Sequence, residues 1–395
     1  MMARSPCGPA LLCLAWALGG FGCGGARLAD LGQAPDAVDA FEVAAADQPD
    51  TPVQQDAAEL SDTPALPDAA DLSQPDLPDA PDVLDLDPTG EIACPLCAFT
   101  MRMDQDAVLV VVPDGAQIAP TYGAVGLRFT DDSYVPALGA AGIRSRTWDV
   151  TGPSIATAAF TPDHSSAQVQ FLPMLVGAHT FALSVENAAG CSESCLQTVH
   201  TVPLPGCMVE LTWNTPADPD QTDTCGQSGI NKDCGSDMDL HVLDPRATGA
   251  VLDPRGQPYG YFDEAYDCYW MNANPKAWDA AHVGDPAYQP HLVRDDTDGA
   301  GPEVFHYALP PSGTCYRVGV HYFDDHGFGR SYPTLRVYLD DPAPVYEKTL
   351  AVALNTSDMW DAGTVCCGNP LQPFVEFKAA NGQDPVILPN YTSPF

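Results

Sequence analysis

Carboxylates that alternate with glycines are the part of the chain with the clearest capacity for chemistry. Asp296, Asp298 and Glu303 alternate with Gly299 and Gly301 in one short segment. Calcium binds six to eight oxygen ligands in a flexible geometry, and glycine allows the tight turns that bring carboxylates together. The residue types and their spacing therefore predict a calcium site in this segment.

Two further acidic residues, Asp237 and Asp239, begin a run that is typical of a β-strand. Because every second side chain of a strand points to the same face, both carboxylates could complete the calcium ligands. The 296–303 segment does not match an EF-hand loop, whose acidic ligands have a different spacing. The alternative is a turn in which Asp side chains bond to local backbone, and the sequence leaves it open.

Two other groups of residues have weaker patterns of a functional site. Residues 321–326 could bind a transition metal, because His321 and Asp325 are four apart, as on one face of a helix. The segment has, however, the pattern of a strand that runs into Gly327, which predicts a loop. Asp263 and Glu264 lie among aromatic residues that could stack on a sugar but more commonly line a sandwich core. These aromatic residues are Tyr261, Phe262, Tyr266, Tyr269 and Trp270.

Motifs of common catalytic sites are missing from the chain. It contains no His-Glu-x-x-His, no Gly-x-Ser-x-Gly and no phosphate-binding P-loop. We therefore expect a non-catalytic protein. The alternative is a secreted hydrolase that uses acids such as Asp263, Glu264, Asp295 or Asp324, which would require carboxylates with raised pKa in a shared cleft.

The elements that must position these residues are predicted to be β-strands. From residue 92 onward, short alternating or apolar runs recur between Gly, Pro and Asp clusters, which is typical of β-sandwiches. We predict an all-β protein with two consecutive β-sandwich domains, an immunoglobulin-like one at 92–203 and a jelly-roll-like one at 204–378, followed by a C-terminal tail at 379–395. The predicted strands lie at 107–112, 124–129, 146–150, 167–171, 179–186, 208–213, 238–243, 304–309, 315–323, 334–339, 349–354 and 374–377.

The N-terminal residues predict export. The apolar run before Cys23 is about twelve residues long, whereas a membrane-spanning helix needs roughly 20, so residues 1–22 are predicted to be a signal peptide. Cys23 follows small residues, which resembles the lipobox of bacterial lipoproteins, although Gly20 and Phe21 depart from that pattern. We expect lipidation of Cys23, with ordinary cleavage as the alternative.

Residues 23–91 are predicted to be the lipidation site and a disordered acidic linker. Between Leu28 and Gly90 there are sixteen acidic residues and no basic ones, with recurrent Pro-Asp pairs. Such a segment buries too little apolar surface to offset its ordering entropy, while proline and charge repulsion extend it. We expect a stalk between a membrane and the folded domains, with a solubilising tail as the alternative.

Composition narrows the possible partners. The formal charge of the chain is −37, which argues against nucleic-acid binding through phosphate contacts and favours the attraction of divalent cations. Of the fourteen cysteines, eleven follow the linker, and in an exported chain they predict disulfides. Because eleven is odd, at least one of them is expected to stay unpaired or to bond to another chain.

The predicted disulfides clasp the two ends of the first domain and close a short loop in the second. The predicted partners are Cys94 and Cys97 with Cys191 and Cys195, Cys225 with Cys234, and Cys268 with Cys315. The Cys94-x-x-Cys97 spacing also occurs in redox and zinc sites. No βαβ pattern surrounds it and no second such motif exists in the sequence, so we favour structural disulfides.

Two regions resemble bacterial surface modules. Segments 147–149 (Thr-Trp-Asp), 176–185 and 187–190 (Asn-Ala-Ala-Gly) resemble PKD and related immunoglobulin-like modules, which implies a spacer or a sugar- or protein-binding unit. Segments 236–242, 295–303, 316–322 and 335–338 resemble the YfaP-like surface domain of secreted or lipid-anchored proteins, which implies a fold and a location. Cys23 with its acidic linker resembles the layout of surface lipoproteins of delta-group, myxobacteria-like species.

These features together predict a non-catalytic lipoprotein at the outer membrane or cell surface of a Gram-negative bacterium. Its expected partners are the membrane, through the lipid anchor, and a carbohydrate or protein ligand in an adhesion role. Calcium is the predicted cofactor, and no nucleic acid is expected to bind. The alternatives are the secreted hydrolase and a structural envelope component with no discrete ligand.

Overall fold

The computed structural model describes residues 93–105, 108–122, 126–153, 160–219, 221, 235–249, 259–276, 278–297, 299–369, 371–379 and 385–392. Cys23, the predicted signal peptide and the predicted linker lie outside these residues, as do Asp298, Cys225 and Cys234. The described part of the chain is built from β-strands in four sheets, as predicted, with short 3-10 turns between them. None of its helical segments has the length and apolar character needed to cross a bilayer.

The first sandwich consists of two four-stranded sheets. Its strands are β1 (Phe99–Gln105), β2 (Val108–Val111), β3 (Ala116–Ile118), β4 (Leu127–Asp131), β5 (Ile143–Thr151), β6 (Gln168–Phe171), β7 (Gly177–Asn187) and β8 (Ser192–Thr201). The sheet orders are β2-β1-β4-β6 and β3-β8-β7-β5. Only the β3–β8 pair is parallel among the described strands of this domain.

The first core forms because alternate residues of facing strands point inward. In β7, Phe181, Leu183 and Val185 are buried while the residues between them are more exposed. They meet Phe129 of β4 and Trp148 of β5 in one apolar cluster. Burying each such side chain contributes about 1.5–3 kcal/mol, so this alternation fixes which face of each sheet is covered.

The second sandwich consists of two larger antiparallel sheets. Its strands are β9 (Cys207–Asn214), β10 (Asp237–Leu243), β11 (Asp267–Cys268), β12 (His291–Arg294), β13 (Glu303–Tyr307), β14 (Tyr316–Asp324), β15 (Tyr332–Leu339), β16 (Tyr346–Thr349), β17 (Met359–Val365), β18 (Phe374–Glu376) and β19 (Val386–Leu388). The sheet orders are β12-β13-β9-β15-β16 and β11-β10-β14-β17-β18, and β19 also pairs with β17. The apolar cluster between the sheets takes residues from both, including Leu211, Leu240, Val320 and Val337.

The two sandwiches pack against each other within one compact unit. Val176, just before β7, joins Met208, Val304 and Tyr338 on the outer face of the β9 sheet. Beside this apolar contact Glu210 is almost fully buried, and its carboxylate accepts a hydrogen bond of 3.4 Å from the backbone amide of Val176. An ionisable side chain therefore lies inside the domain interface.

Disulfides join distant parts of each domain. Cys94 bonds to Cys191 and Cys97 bonds to Cys195, which confirms the predicted clasp of the first sandwich. The predicted bond between Cys268 and Cys315 is wrong, because Cys315 bonds to Cys366 and Cys268 is a buried free thiol. A further bond, between Cys207 and Cys367, crosses the second sandwich. Such pairs belong to an oxidising environment and are consistent with an exported protein.

Several strand assignments differ from the prediction, since β1, β3, β8, β11, β12, β17 and β19 are not among the predicted strands. The strand expected at 349–354 lies earlier, at β16, and β17 was not expected because Asp361 and Gly363 interrupt its apolar pattern. Residues 386–388, expected in a tail, form β19, and Tyr391 is buried beside the sheet. The second domain therefore extends past residue 378.

Candidate metal centre

Strand β10 presents polar side chains on the face opposite the main core. Met238, Leu240 and Val242 point into the apolar cluster between the sheets. By the two-residue period, Asp237, Asp239 and His241 lie on the other face, and all three are nonetheless buried. This face is thus a covered polar layer rather than a solvent-exposed surface.

The loop between β12 and β13 packs closely against the start of β10. Gly235 lies so near the loop that a Cβ atom there would be 2.5 Å from both the backbone N and O of Gly299. Trp213 of β9 also fixes the loop, since its indole N–H donates a hydrogen bond of 3.0 Å to the Gly299 carbonyl. Gly299 and Gly301 have φ of 67° and 89°, a region that glycine occupies without strain. The glycines therefore allow the acidic loop to close over β10, as the sequence predicts.

Glu303 links the two sheets of the second sandwich beside the acidic loop. It is the first residue of β13 and is fully buried. One carboxylate oxygen accepts a hydrogen bond from the backbone amide of Leu240 in β10. The other accepts from the amide of Asp296 at 3.3 Å. The side chain is therefore fixed between the acidic loop and the polar face of β10.

Three carboxylates converge around Glu303. One oxygen each of Asp239, Asp295 and Glu303 lies within 4.8 Å of the others. Calcium–oxygen distances are about 2.3–2.6 Å, so two oxygens on opposite sides of one ion are about 5 Å apart. The spacing of the three oxygens therefore suits a shared calcium ion.

The predicted ligands are only partly brought together. Asp239 and Glu303 belong to the cluster, and Asp237 is close enough to feel the charges of Asp239 and Asp295. Asp296 is buried but its carboxylate bonds to Arg294 at 3.0 Å. Asp295, which the sequence assigned only to the hydrolase alternative, occupies the place expected for Asp296.

The electrostatics of the cluster disfavour a full set of negative charges. Burial, followed by repulsion from Asp239 and Asp295, raises the pKa of Glu303 well above its usual range. Burial, followed by repulsion from Asp239, raises the pKa of Asp237 to about 8. One oxygen of Asp237, a residue only 8% exposed, has no hydrogen-bond partner among the described residues. Such a site is stabilised either by protons or by a cation.

A second group of possible ligands shares Asp239. Asp239, His241 and His321 offer one ligand atom each within 4.8 Å of one another, and all three are buried. The sequence did suggest His321 as a metal ligand, but with Asp325, whose carboxylate instead accepts from the Gly327 amide at 2.9 Å. His241 was missed, although its position two residues after Asp239 marks it as a member of the same face.

Asp263, one of the carboxylates proposed for a hydrolase, has a local structural role. Burial raises the pKa of Asp263, but hydrogen bonds from Thr248, Ala265 and Tyr266 outweigh it and the pKa is lowered. That carboxylate accepts from the amides of a turn, as Asp often does in turns.

The neighbouring aromatic residues divide into two sets. Tyr261, Phe262 and Tyr269 are buried in a satellite apolar cluster with Tyr391. Trp270 is 37% exposed and its ring centroid lies 6.3 Å from that of Phe323, which is 40% exposed. The first set covers the polar face of β10, and the second forms an exposed aromatic pair.

No protein-family model matches the chain, and no curated protein is similar to it in sequence. Its function is therefore inferred from the chemistry that the described residues can perform. In the acidic cluster that chemistry is the coordination of a hard divalent cation by carboxylate oxygens.

Proposed function

We propose that the chain is a non-catalytic, exported binding protein whose second sandwich is stabilised by calcium. The observation that carries this proposal is the convergence of carboxylate oxygens from Asp239, Asp295 and Glu303 within 4.8 Å, at a site where Glu303 is fully buried. Removing charged groups from water is costly unless they are neutralised. A bound calcium ion neutralises them and ties the β12–β13 loop to β10.

Calcium-dependent stability tests the proposal. At a free calcium concentration of 100 times Kd, binding to the folded state adds about 2.7 kcal/mol to the free energy of unfolding. We expect thermal unfolding of the purified chain to shift to higher temperature with calcium and to return with excess chelator. Magnesium is the control ion, because it demands a smaller octahedral shell. An unfolding temperature that is identical in calcium and in chelator would contradict the proposal.

The ligand of this binding protein is proposed to be a carbohydrate. Contiguous exposed apolar patches mark interaction surfaces on soluble proteins, and the adjacent rings of Trp270 and Phe323 offer a surface on which the apolar face of a sugar can stack. Asp324 follows Phe323, and its half-exposed carboxylate can accept hydrogen bonds from hydroxyl groups. These neighbours provide the apolar and polar contacts that a sugar requires.

Binding to a panel of bacterial polysaccharides tests this surface. We expect Trp270→Ala and Phe323→Ala to abolish binding that the unaltered chain shows. Leu371→Ala is the matched control, because Leu371 is also apolar and is 95% exposed outside the pair. Equal binding by Trp270→Ala and the unaltered chain would exclude this pair as the ligand surface.

We further propose that Cys23 carries the lipid that holds the protein at the outer membrane. The apolar run and small residues before Cys23 support this, and the disulfides support export to an oxidising compartment. Detergent phase separation of the expressed full chain tests the anchor. The unaltered protein is expected in the detergent phase and Cys23→Ala in the aqueous phase, whereas the same distribution for both would contradict lipidation.

A further inference from the structure

The polar face of β10 contains a second set of donors that differs in chemistry from the acidic cluster. Asp239 and His241 are two residues apart on β10, and His321 lies opposite Asp239 on β14. One oxygen of Asp239 and one ring nitrogen of each histidine lie within 4.8 Å of one another. His241 is fully buried, His321 is 1% exposed and Asp239 is 3% exposed. Two strands that pair in register thus place two imidazoles and a carboxylate in one buried space.

Each histidine is oriented by a partner outside this set. Nδ1 of His241 lies 2.6 Å from a carboxylate oxygen of Asp267, which is itself fully buried. Nε2 of His321 lies 2.8 Å from the carbonyl oxygen of Tyr391. A carbonyl oxygen only accepts, so the Nε2 of His321 carries the proton. Histidines that ligate metals are almost always oriented in this way, by a carboxylate or carbonyl on the other ring nitrogen.

Of the remaining ring nitrogens, one faces only Asp239 and the other has no partner among the described residues. Nε2 of His241 is buried and has no hydrogen-bond partner among the described residues. Nδ1 of His321 faces an oxygen of Asp239 at 3.3 Å. In the tautomer whose only proton is on Nε2, Nδ1 is an acceptor, and two acceptors then face each other across a gap that a cation can bridge. Unsatisfied buried polar atoms are costly, and a cation between these atoms would satisfy all three.

The separations also fit a transition metal. Zinc binds imidazole nitrogen and carboxylate oxygen at about 2.0–2.2 Å, which places two tetrahedral ligand atoms about 3.4 Å apart. The measured 3.3 Å between Asp239 and His321 has this value. Calcium, by contrast, binds oxygen ligands. Imidazole donors therefore select a different class of ion from the acidic cluster.

We propose that Asp239, through a carboxylate oxygen, His241, through Nε2, and His321, through Nδ1, bind a divalent first-row transition metal, with zinc as the ion that best suits them. Asp267 and the Tyr391 carbonyl orient the two imidazoles. The rings of Tyr269 and Phe262 pack on His241 at centroid distances of 5.0 and 4.7 Å, which lowers the polarity around the site and strengthens its electrostatic contacts. The ion would also fix the segment that carries Tyr391 to the sheet.

The new site is separable from the proposed calcium site although Asp239 belongs to both. Glu303 and Asp295 belong only to the acidic cluster, and His241 and His321 belong only to the imidazole site. Substitutions at these residues therefore distinguish the two ions. Failure of one site does not decide the other, since the readouts are zinc content for one and calcium-dependent stability for the other.

Metal analysis of the purified full chain tests the proposal. The protein is stripped with a chelator, loaded with zinc, passed through a desalting column and analysed by elemental mass spectrometry. We expect one retained zinc per chain, and a loss of tenfold or more in affinity for His241→Ala and for His321→Ala. Glu347→Gln and His200→Asn are the controls. The Glu347 side chain is 52% exposed on β16 and His200 is an exposed histidine of β8, so both controls should retain the metal.

A spectroscopic readout keeps the test decisive if a histidine variant does not fold. Cobalt bound to the unaltered chain is expected to give visible d–d absorption bands typical of tetrahedral nitrogen and oxygen ligands, which zinc abolishes and calcium does not. Asp267→Asn should weaken zinc binding by about 10–100-fold, as expected for an orienting partner. The proposal is overturned if the unaltered chain binds neither zinc nor cobalt, or if folded His241→Ala retains as much zinc as the unaltered chain. The three side chains would then form a hydrogen-bonded network only.

Discussion

Glu303, at the start of a strand in one sheet, accepts a hydrogen bond from the backbone amide of Leu240, in a strand of the other sheet. On this side of β10 the partner strand β11 pairs only with Val242 and Leu243. A carboxylate thus satisfies a backbone donor that has no strand partner, at the centre of a cluster of like charges. The same side chain therefore has a structural role and a place in the proposed calcium site, and substitutions can separate the two.

Glu303→Gln is expected to abolish the stabilisation by calcium without loss of stability in its absence. The amide oxygen of Gln can still accept from Leu240, but its NH2 group cannot accept from the Asp296 amide as the second carboxylate oxygen does. Relief of the repulsion with Asp239 and Asp295 offsets that loss. Thermal unfolding in chelator and in calcium measures both effects. In chelator we expect the variant to be at least as stable as the unaltered chain, and in calcium we expect no upward shift.

Glu347→Gln is the matched control, because the Glu347 side chain is 52% exposed and lies on β16, outside the cluster. It should keep the full calcium response. A Glu303→Gln variant with an unchanged calcium shift would place the ion elsewhere.

Gly235→Ala is expected to weaken calcium binding through the backbone. Its Cβ would lie 2.5 Å from backbone atoms of Gly299, which cannot rotate away, so the acidic loop must move from β10. Overpacking of this kind typically costs about 1–3 kcal/mol, and we expect calcium affinity to fall by tenfold or more in a calorimetric titration.

Gly368→Ala provides the comparison for the same chemical change. Its nearest atoms would be 3.5 Å away and the residue is exposed, so stability should change by less than about 0.5 kcal/mol. Equal calcium affinity in the two glycine variants would argue against contact between the loop and β10 as the determinant of the site.

Much of the fold could be predicted from the sequence because apolar and polar residues alternate along the strands that cover a core. β10 and β14 were predicted within one residue of their ends, since apolar residues occupy every second position over one face. β17 was not, because its buried Asp361 pairs with Arg317 at 2.5 Å and its Gly363 makes room for the carbonyl of Val375. Both features depend on tertiary partners, which periodicity does not show.

The candidate site was predicted in part for a related reason. Asp239 and Glu303 were identified from the spacing of acidic residues. Asp295 and Asp296 are adjacent in the loop, and the sequence does not show which of the two side chains turns toward the cluster. In the structure Asp296 forms an ion pair with Arg294, and Asp295 joins the cluster. The meeting of His241 and His321 depends on the register between β10 and β14. Register follows from packing of both faces, so the sequence of either strand alone does not reveal it.

Glu210 is expected to make stability depend on pH near neutrality. Burial raises its pKa to about 7, and Arg336 at 3.3 Å offsets only part of this effect. Between the unfolded pKa of about 4.3 and this folded value, the folded state binds more protons, so stability falls as pH rises. The contribution is fully present below about pH 4.3, is lost as pH passes 7, and amounts to about 4 kcal/mol.

Glu210→Gln should remove that pH dependence, because the amide resembles the protonated acid. Urea unfolding at pH 5 and pH 8 measures the difference, and the gap in stability between variant and unaltered chain should widen toward pH 8. Glu193→Gln, at an exposed site in β8, should leave the profile unchanged. Parallel profiles for Glu210→Gln and the unaltered chain would contradict a neutral buried Glu210.

The bond between Cys207 and Cys367 is expected to contribute more to stability than the bond between Cys315 and Cys366. Cys207 lies in β9 and Cys367 follows β17 in the opposite sheet, at a sequence separation of 160, whereas the second bond spans 51 residues. Chain entropy assigns about 5 kcal/mol to the longer loop and about 4 kcal/mol to the shorter. The paired substitutions Cys207→Ala with Cys367→Ala and Cys315→Ala with Cys366→Ala, measured by urea unfolding, should follow this order.

Cys268→Ala is the control, because it removes a thiol that forms no disulfide, and it should lower the free energy of unfolding by about 1 kcal/mol. Peptide mapping without reductant verifies the pairing, and an equal loss for Cys268→Ala and the Cys207/Cys367 pair would show that this bond does not tie the sheets together.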